Sequence, residues 1–236
     1  MITLAFDSVA RIASVALCDG EKVLAQYSID NGMTQSELLL PMAESILSSV
    51  GLSFSDVGLY ACTTGPGSFT GVRIGVSLIK GLAFGKGVPC VSVSSLDSLA
   101  ENAAGLSGVI VPVMDARRSQ VYCAIFESDG ENLTRASEDM AIPLSTLAEL
   151  LQKYKDRPIY LTGDGYGVAT AALEGLGISL SKTPEGIRLQ SAASCAKVAY
   201  RMYKSGNTVT DTELAPTYLR LPQAERERLE REKQNK

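Results

Sequence analysis

Two aspartates and two glycine-rich loops are the residues of this chain best placed to do chemistry. Asp7 ends one apolar run, Ile2–Asp7, and Asp115 ends another, Val109–Asp115. A strand that ends in a carboxylate and then turns tightly sets that carboxylate beside backbone N–H groups. Such a corner can hold a hydrated Mg²⁺ on the carboxylate and a phosphate on the N–H groups. The same aspartate can instead simply cap its own turn. The loops are Gly65-Pro66-Gly67-Ser68-Phe69-Thr70-Gly71 and Thr162-Gly163-Asp164-Gly165. A glycine-rich turn at a helix N-terminus suits an anion. Asp7, Ser8, Gly65, Gly67, Asp115, Gly163 and Gly165 are therefore the candidates for weak nucleotide or phosphate binding. The first loop lacks the Gly-Lys-Ser/Thr ending of a P-loop, and close backbone packing explains its glycines equally well.

What is missing is as informative. The chain contains 0 histidines among 236 residues, so it can build no Ser-His-Asp triad, no Cys-His pair and no histidine metal site. No metal site is expected, and catalysis by carboxylates alone stays open. Five cysteines, Cys18, Cys62, Cys90, Cys123 and Cys195, stand singly in apolar runs. Their odd number and lack of a C-x-x-C pair argue for reduced, buried thiols. A net charge of −4 gives no bulk electrostatic grip on RNA. The first residues read as a strand, with no signal peptide, and no run approaches the ~20 apolar residues of a membrane helix. A cytoplasmic address is expected.

The elements that must position these groups occur twice. Strands are expected at Ile2–Asp7, Ala13–Cys18 and Lys22–Ile29, with Asp19-Gly20 turning the second into the third. A helix over Gln35–Val50, a strand over Val57–Thr63, the first loop, a helix to about Gly85, a strand at Pro89–Val93 and a helix at Leu96–Ala104 follow. From Val109 the order restarts: a strand ending in Asp115, a strand Gln120–Glu127, an Asp129-Gly130 turn, a helix Leu144–Tyr154, a strand Pro158–Leu161 and the second loop. Both the strand-end aspartates and the Asp-Gly turns repeat at an offset of about 110 residues. That argues for a duplicated unit and two lobes facing a cleft. The expected division is 1–106 and 107–220, with a helix near Ser191–Lys204 in the second part and a charged tail over 221–236, solvated or flexible.

Two helices carry an unusual pattern. In the first, Thr34-x-x-Glu37 reads as a capping box. Leu38, Met42, Ile46 and Val50 form one apolar row, and Leu39, Ala43 and Leu47 another. Pro41 should kink or delay it. In the second, Gly71 and Gly75, then Ser77, Gly81 and Gly85, recur at four-residue steps beside Ile74, Leu78 and Leu82. Small residues so spaced let another segment approach closely. Each glycine costs a helix roughly 1 kcal/mol against alanine, so tight contact is the expected return, inside the fold or with another chain.

Asp7-Ser8, the run Gly65 to Gly75, Met114-Asp115-Ala116-Arg117-Arg118 and Pro216-x-Tyr218-Leu219-Arg220 together closely resemble the TsaB (YeaZ) family. The resemblance runs from residue 1 to about 220. It implies an α/β fold of the actin/Hsp70/sugar-kinase (ASKHA) class, two duplicated RNase H-like lobes with mixed sheets. It implies a non-catalytic, dimerising subunit in making N6-threonylcarbamoyladenosine (t6A) in tRNA. The partners implied are a catalytic TsaD-like paralogue and a TsaE-like ATPase, with tRNA contacted indirectly; the apolar faces of the two helices leave open a homodimer through the same surface. The family's pairing surface is built from the first two helices. Carried over, that selects Gln35, Leu38, Leu39, Met42 and Ile46 on the first helix, and Arg73, Ile74, Ser77, Leu78, Gly81 and Leu82 on the second. Gln35 stands where family members often carry histidine. No cofactor is required on this reading, and weak ATP or ADP binding is compatible with it. The alternative is a small ASKHA-fold kinase or ATPase, against which Asp7-Ser8-Val9-Ala10-Arg11 lacks the Gly-Asn-Thr expected of such a phosphate loop.

Overall fold

The computed structural model describes residues 1–117 and 119–220; the charged tail, 221–236, lies outside the described residues. Eleven strands and six α-helices are formed among them. The first sheet holds β1 (Ile2–Asp7), β2 (Ala13–Asp19), β3 (Lys22–Ile29), β4 (Leu59–Gly65) and β5 (Cys90–Ser94), in the order β3-β2-β1-β4-β5. β1 and β2 are antiparallel, while β1, β4 and β5 run parallel. β4 is buried along its whole length, as expected of a strand covered on both faces. β3 mixes exposed and half-buried residues, which suits an edge.

α1 (Gln35–Ser49) and α2 (Phe69–Ala83) cover one face of this sheet. α1 buries Leu39, Met42, Ala43, Ile46 and Leu47. The expected capping box is absent: Thr34 makes no side-chain cap, and its hydroxyl pairs with Ser36 instead. The helix also runs unbroken through Pro41. It ends in a Schellman turn, Leu52 N–H donating to the Leu47 carbonyl and Gly51 N–H to that of Ser48, with Gly51 at φ +71°.

The second sheet is built around β6 (Ser107–Asp115). Antiparallel to it lie β7 (Gln120–Cys123) and β8 (Phe126–Asp129), each continued by a further strand, β10 (Met140–Pro143) beside β7 and β9 (Leu133–Arg135) beside β8. The single strand expected over Gln120–Glu127 is therefore interrupted at Ala124-Ile125, where the Ile125 N–H is taken by the Ser137 hydroxyl. β11 (Ile159–Thr162) joins β6 in parallel. β6 thus has antiparallel neighbours followed by a parallel one, as β1 does. α4 (Leu144–Leu151) and α5 (Tyr166–Gly175) pack over this sheet around Val111, Leu147 and Leu161.

α3 (Ser95–Glu101) and α6 (Ala192–Lys204) complete the molecule. α6 follows the second unit in sequence, yet it packs on β1, β2, β4 and β5 of the first sheet. There Cys195, Ala196 and Ala199 meet Ala5, Ala61 and Val91 on the face opposite α1 and α2. A side-chain network also ties the units together. Arg135 reaches Asp97 of α3 at 2.7 Å and Asp139 at 2.7 Å, and Ser94 donates to Asp139.

Candidate functional site

The turns after β1 and β6 face each other across a cleft of about 580 Å³. Its walls come from Val9–Arg11, from Pro66–Phe69 at the start of α2, from Met114–Arg117, and from the C-terminal segment Thr217–Arg220. The two strand-end aspartates are not equivalent there. Asp115 is exposed on the cleft wall, and its Oδ1 accepts the Arg117 N–H at 2.7 Å. Asp7 is fully buried behind the cleft, its Oδ1 accepting the Val9 N–H at 3.4 Å and its Oδ2 having no partner. Burial pushes the Asp7 carboxyl up to about 7, partly opposed by the Val9 N–H. Both aspartates make the local turn bond of a cap. Among the described residues, no group of three or more Cys, Asp or Glu is arranged to hold a metal ion.

The glycines of both loops have a common packing role. A Cβ on Gly65 would strike the Thr217 carbonyl oxygen, one on Gly67 the Val9 carbonyl at 2.6 Å, and one on Gly71 the Ser8 carbonyl. Gly75 lies against the Ser8 hydroxyl, which donates to the Gly71 carbonyl at 2.8 Å. In the second unit, Gly163 meets the Val113 carbonyl, and Gly165 donates to that same oxygen at 3.1 Å. In each half, then, the glycine loop admits the chain at or just past the end of its unit's first strand, Ser8-Val9 in one and Val113 in the other, and Gly65 also admits Thr217. Ser68 caps α2, its hydroxyl accepting the Gly71 N–H at 3.2 Å.

Beside the cleft, α1 and α2 enclose a second depression, a groove of about 450 Å³. Leu39, Leu40, Phe69, Ile74 and Leu78 supply its apolar surface, with Gln35, Ser36, Arg73 and Ser77 around them. Leu40 is 39% exposed, and Leu39 forms the floor at 1%. Gln35 is held in place by donating to the Ala10 carbonyl at 2.8 Å.

The groove contains Gln35, Leu39, Arg73, Ile74, Ser77 and Leu78 from the helix pair singled out in the sequence. Met42 and Ile46 point into the lobe's own core, and Leu38 is half-buried against it. Gly81 is exposed with open space around it, and Leu82 is half-buried outside the groove. The two rows of small side chains thus part company: Gly71 and Gly75 pack inside the fold, while Gly81 of the other row faces open space.

A family model for tRNA N6-adenosine threonylcarbamoyltransferase (TsaD) matches residues 33–226 of the chain. The tRNA threonylcarbamoyladenosine biosynthesis protein TsaB of Bacillus subtilis strain 168 is 32% identical over 233 residues, 99% of this chain and 100% of the relative. The chain belongs to the TsaB family. Among solved structures, YeaZ from Pseudomonas aeruginosa is similar with a TM-score of 0.76 at 25% identity, covering 92% of this chain and 99% of that one. A ROK hexokinase from Thermus thermophilus matches with a TM-score of 0.50 at 13% identity, covering 86% of this chain and 100% of that one. At that identity it speaks for the fold alone, which is the sugar-kinase-like class that the family resemblance implies.

Within this TsaB-family chain, two parts of the site carried no signal strong enough to assign beforehand. Leu40 and Ser36 open onto the groove although neither lies on an apolar row that the periodicity picks out. Pro216–Arg220 has no helical or strand period, yet it forms a wall of the cleft more than 100 residues from its contacts. Sequence spacing cannot bring such segments together; only the return of α6 to the first sheet does.

Proposed function

We propose that this chain is a non-catalytic partner subunit that docks a TsaD-like transferase through the α1–α2 groove in forming N6-threonylcarbamoyladenosine in tRNA. The observation that carries the reading is the groove itself, an exposed depression whose apolar residues come from two neighbouring helices. The cleft supports the non-catalytic part. Its loop glycines are occupied by the chain's own carbonyls, and Asp7, which would serve a kinase as a metal-bearing carboxylate, is sealed from solvent. The reading requires no cofactor and allows ATP or ADP to bind the cleft weakly without turnover. A TsaE-like ATPase joins the pair, tRNA is contacted through the catalytic partner, and a second copy of the chain competes for the same helices. The work is done in the cytoplasm.

Sedimentation velocity of the chain, alone and mixed with the TsaD-like protein of its own organism, tests this. A new heterodimer boundary is expected, growing at the expense of any homodimer. Two independent boundaries, with ATP and Mg²⁺ present, would overturn the partner reading and return the cleft to consideration as an active site.

A further inference from the structure

The segment Pro216–Arg220 touches both lobes, lines the cleft and meets two residues of the groove, Phe69 and Arg73. Its Thr217 N–H donates to the Thr64 carbonyl at the end of β4, at 2.7 Å, and its Thr217 carbonyl fills the space a side chain would need at Gly65. Across the cleft, the Arg220 guanidinium donates to the Ala116 carbonyl, at 3.3 Å, in the turn after β6. Between these anchors Tyr218 stacks on Phe69 with ring centroids 4.7 Å apart. Arg73 lies on Phe69 as well, 3.8 Å from its centroid, and its Nε donates to the Tyr218 hydroxyl at 2.9 Å. Phe69 lines the cleft and the groove alike, and Arg73 lines the groove. One aromatic ring is therefore the shared wall of the two depressions.

We propose that Pro216–Arg220 is a strap across the cleft, and that a partner seated in the α1–α2 groove tightens it through Phe69 and Arg73. The inference rests on the partner reading above. Its physical basis is desolvation. A guanidinium on a ring is held more strongly when water is excluded from it, and the Arg73–Tyr218 hydrogen bond strengthens likewise in a drier surround. Tyr218 is 42% exposed in the free chain, so there is room for this change. The lobes are joined by the strap at Thr64 and Ala116, and tightening it fixes how far apart the cleft walls stand. Linkage requires the reverse effect: a loosened strap must weaken docking, even when the change is made outside the groove.

A 3-fluorotyrosine placed at position 218 alone keeps the hydroxyl that accepts from Arg73, and it reports on the strap by ¹⁹F NMR while the unlabelled TsaD-like partner is titrated in. Sedimentation of the same samples shows whether the complex forms. Arg220→Ala, which releases only the anchor on the second unit, is measured for partner affinity. The expected result is a shifted ¹⁹F line in the complex and an affinity reduced about fivefold by Arg220→Ala. A complex that forms with the ¹⁹F line unmoved and with Arg220→Ala at parental affinity overturns the strap and leaves the partner reading standing. No complex with the parental chain overturns both.

Discussion

Burial takes the Asp7 carboxyl out of water, opposed by the Val9 N–H and the Thr63 hydroxyl and reinforced by the nearby Asp164 carboxyl, which is why its pKa rises from 3.8 to about 7. The charged form is penalised in the folded chain and not in the unfolded one. Stability that is fully present below the unfolded pKa is therefore lost as pH rises through about 7, and it stays lost above that. The gap from 3.8 to about 7 corresponds to about 4 kcal/mol. Asp7→Asn keeps the shape and removes the ionisation. At pH 8 the variant is expected to exceed the parent by about 2 kcal/mol in urea unfolding, less than the full gap because a buried amide must satisfy its own polar atoms. At pH 5 about 2–3 kcal/mol of that loss has not yet occurred, so the advantage should vanish and turn slightly negative. An advantage equal at both pH values would mean that Asp7 is not the group that titrates.

The two helices of the groove separate residues that look alike in sequence. Leu39 and Leu40 are neighbours, but Leu39 is at 1% exposure in the core and Leu40 at 39% on the rim. Leu39→Glu, which the sequence pattern alone would offer as a clean interface variant, buries a carboxylate and is expected to unfold the lobe. Leu40→Glu should keep the parental circular dichroism and melting temperature while losing the partner boundary in sedimentation. An intact complex with Leu40→Glu would remove that rim from the docking surface. The glycines of α2 divide in the same way. Gly71→Ala drives a methyl group into the Ser8 carbonyl and should cost about 3 kcal/mol or more. Gly81→Ala fills open space on an exposed helix and should gain about 0.5–1 kcal/mol. Thermal melts of the two variants moving in the same direction would contradict this division.

The molecule is closed by its C-terminal part. α6 covers the face of the first sheet opposite α1 and α2, and Val209 then pairs with Cys90 at that sheet's margin. A fragment ending at residue 106 would leave Ala5, Cys18, Leu59, Ala61, Val91 and Val93 open to water. Such a patch promotes association. The 1–106 fragment is expected to aggregate when expressed alone and to be rescued by co-expression of a segment spanning 189–220. A 1–106 fragment that is monomeric with a cooperative melt would show that the first lobe does not need α6.

The sequence by itself determined the duplicated order of elements, the strand-end aspartates, the glycine loops and the family. Each of these is written in local period, turn chemistry or motif, and local signals survive in a linear chain. Tertiary structure alone decided what those residues face. The amphipathic period of α1 marks an apolar side without saying that Leu39 seals the core while Leu40 stays on the rim. The spacing of small residues on α2 marks close approach without saying that Ser8 makes it at Gly71 and nothing does at Gly81. The capping box at Thr34-x-x-Glu37 fits the pattern, yet the Thr34 hydroxyl is taken by Ser36. The strap lies furthest from the reach of sequence, because Tyr218 finds Phe69 and Arg73 only after α6 has crossed back to the first sheet. Contacts between segments so far apart depend on how layers pack, and no residue period encodes that.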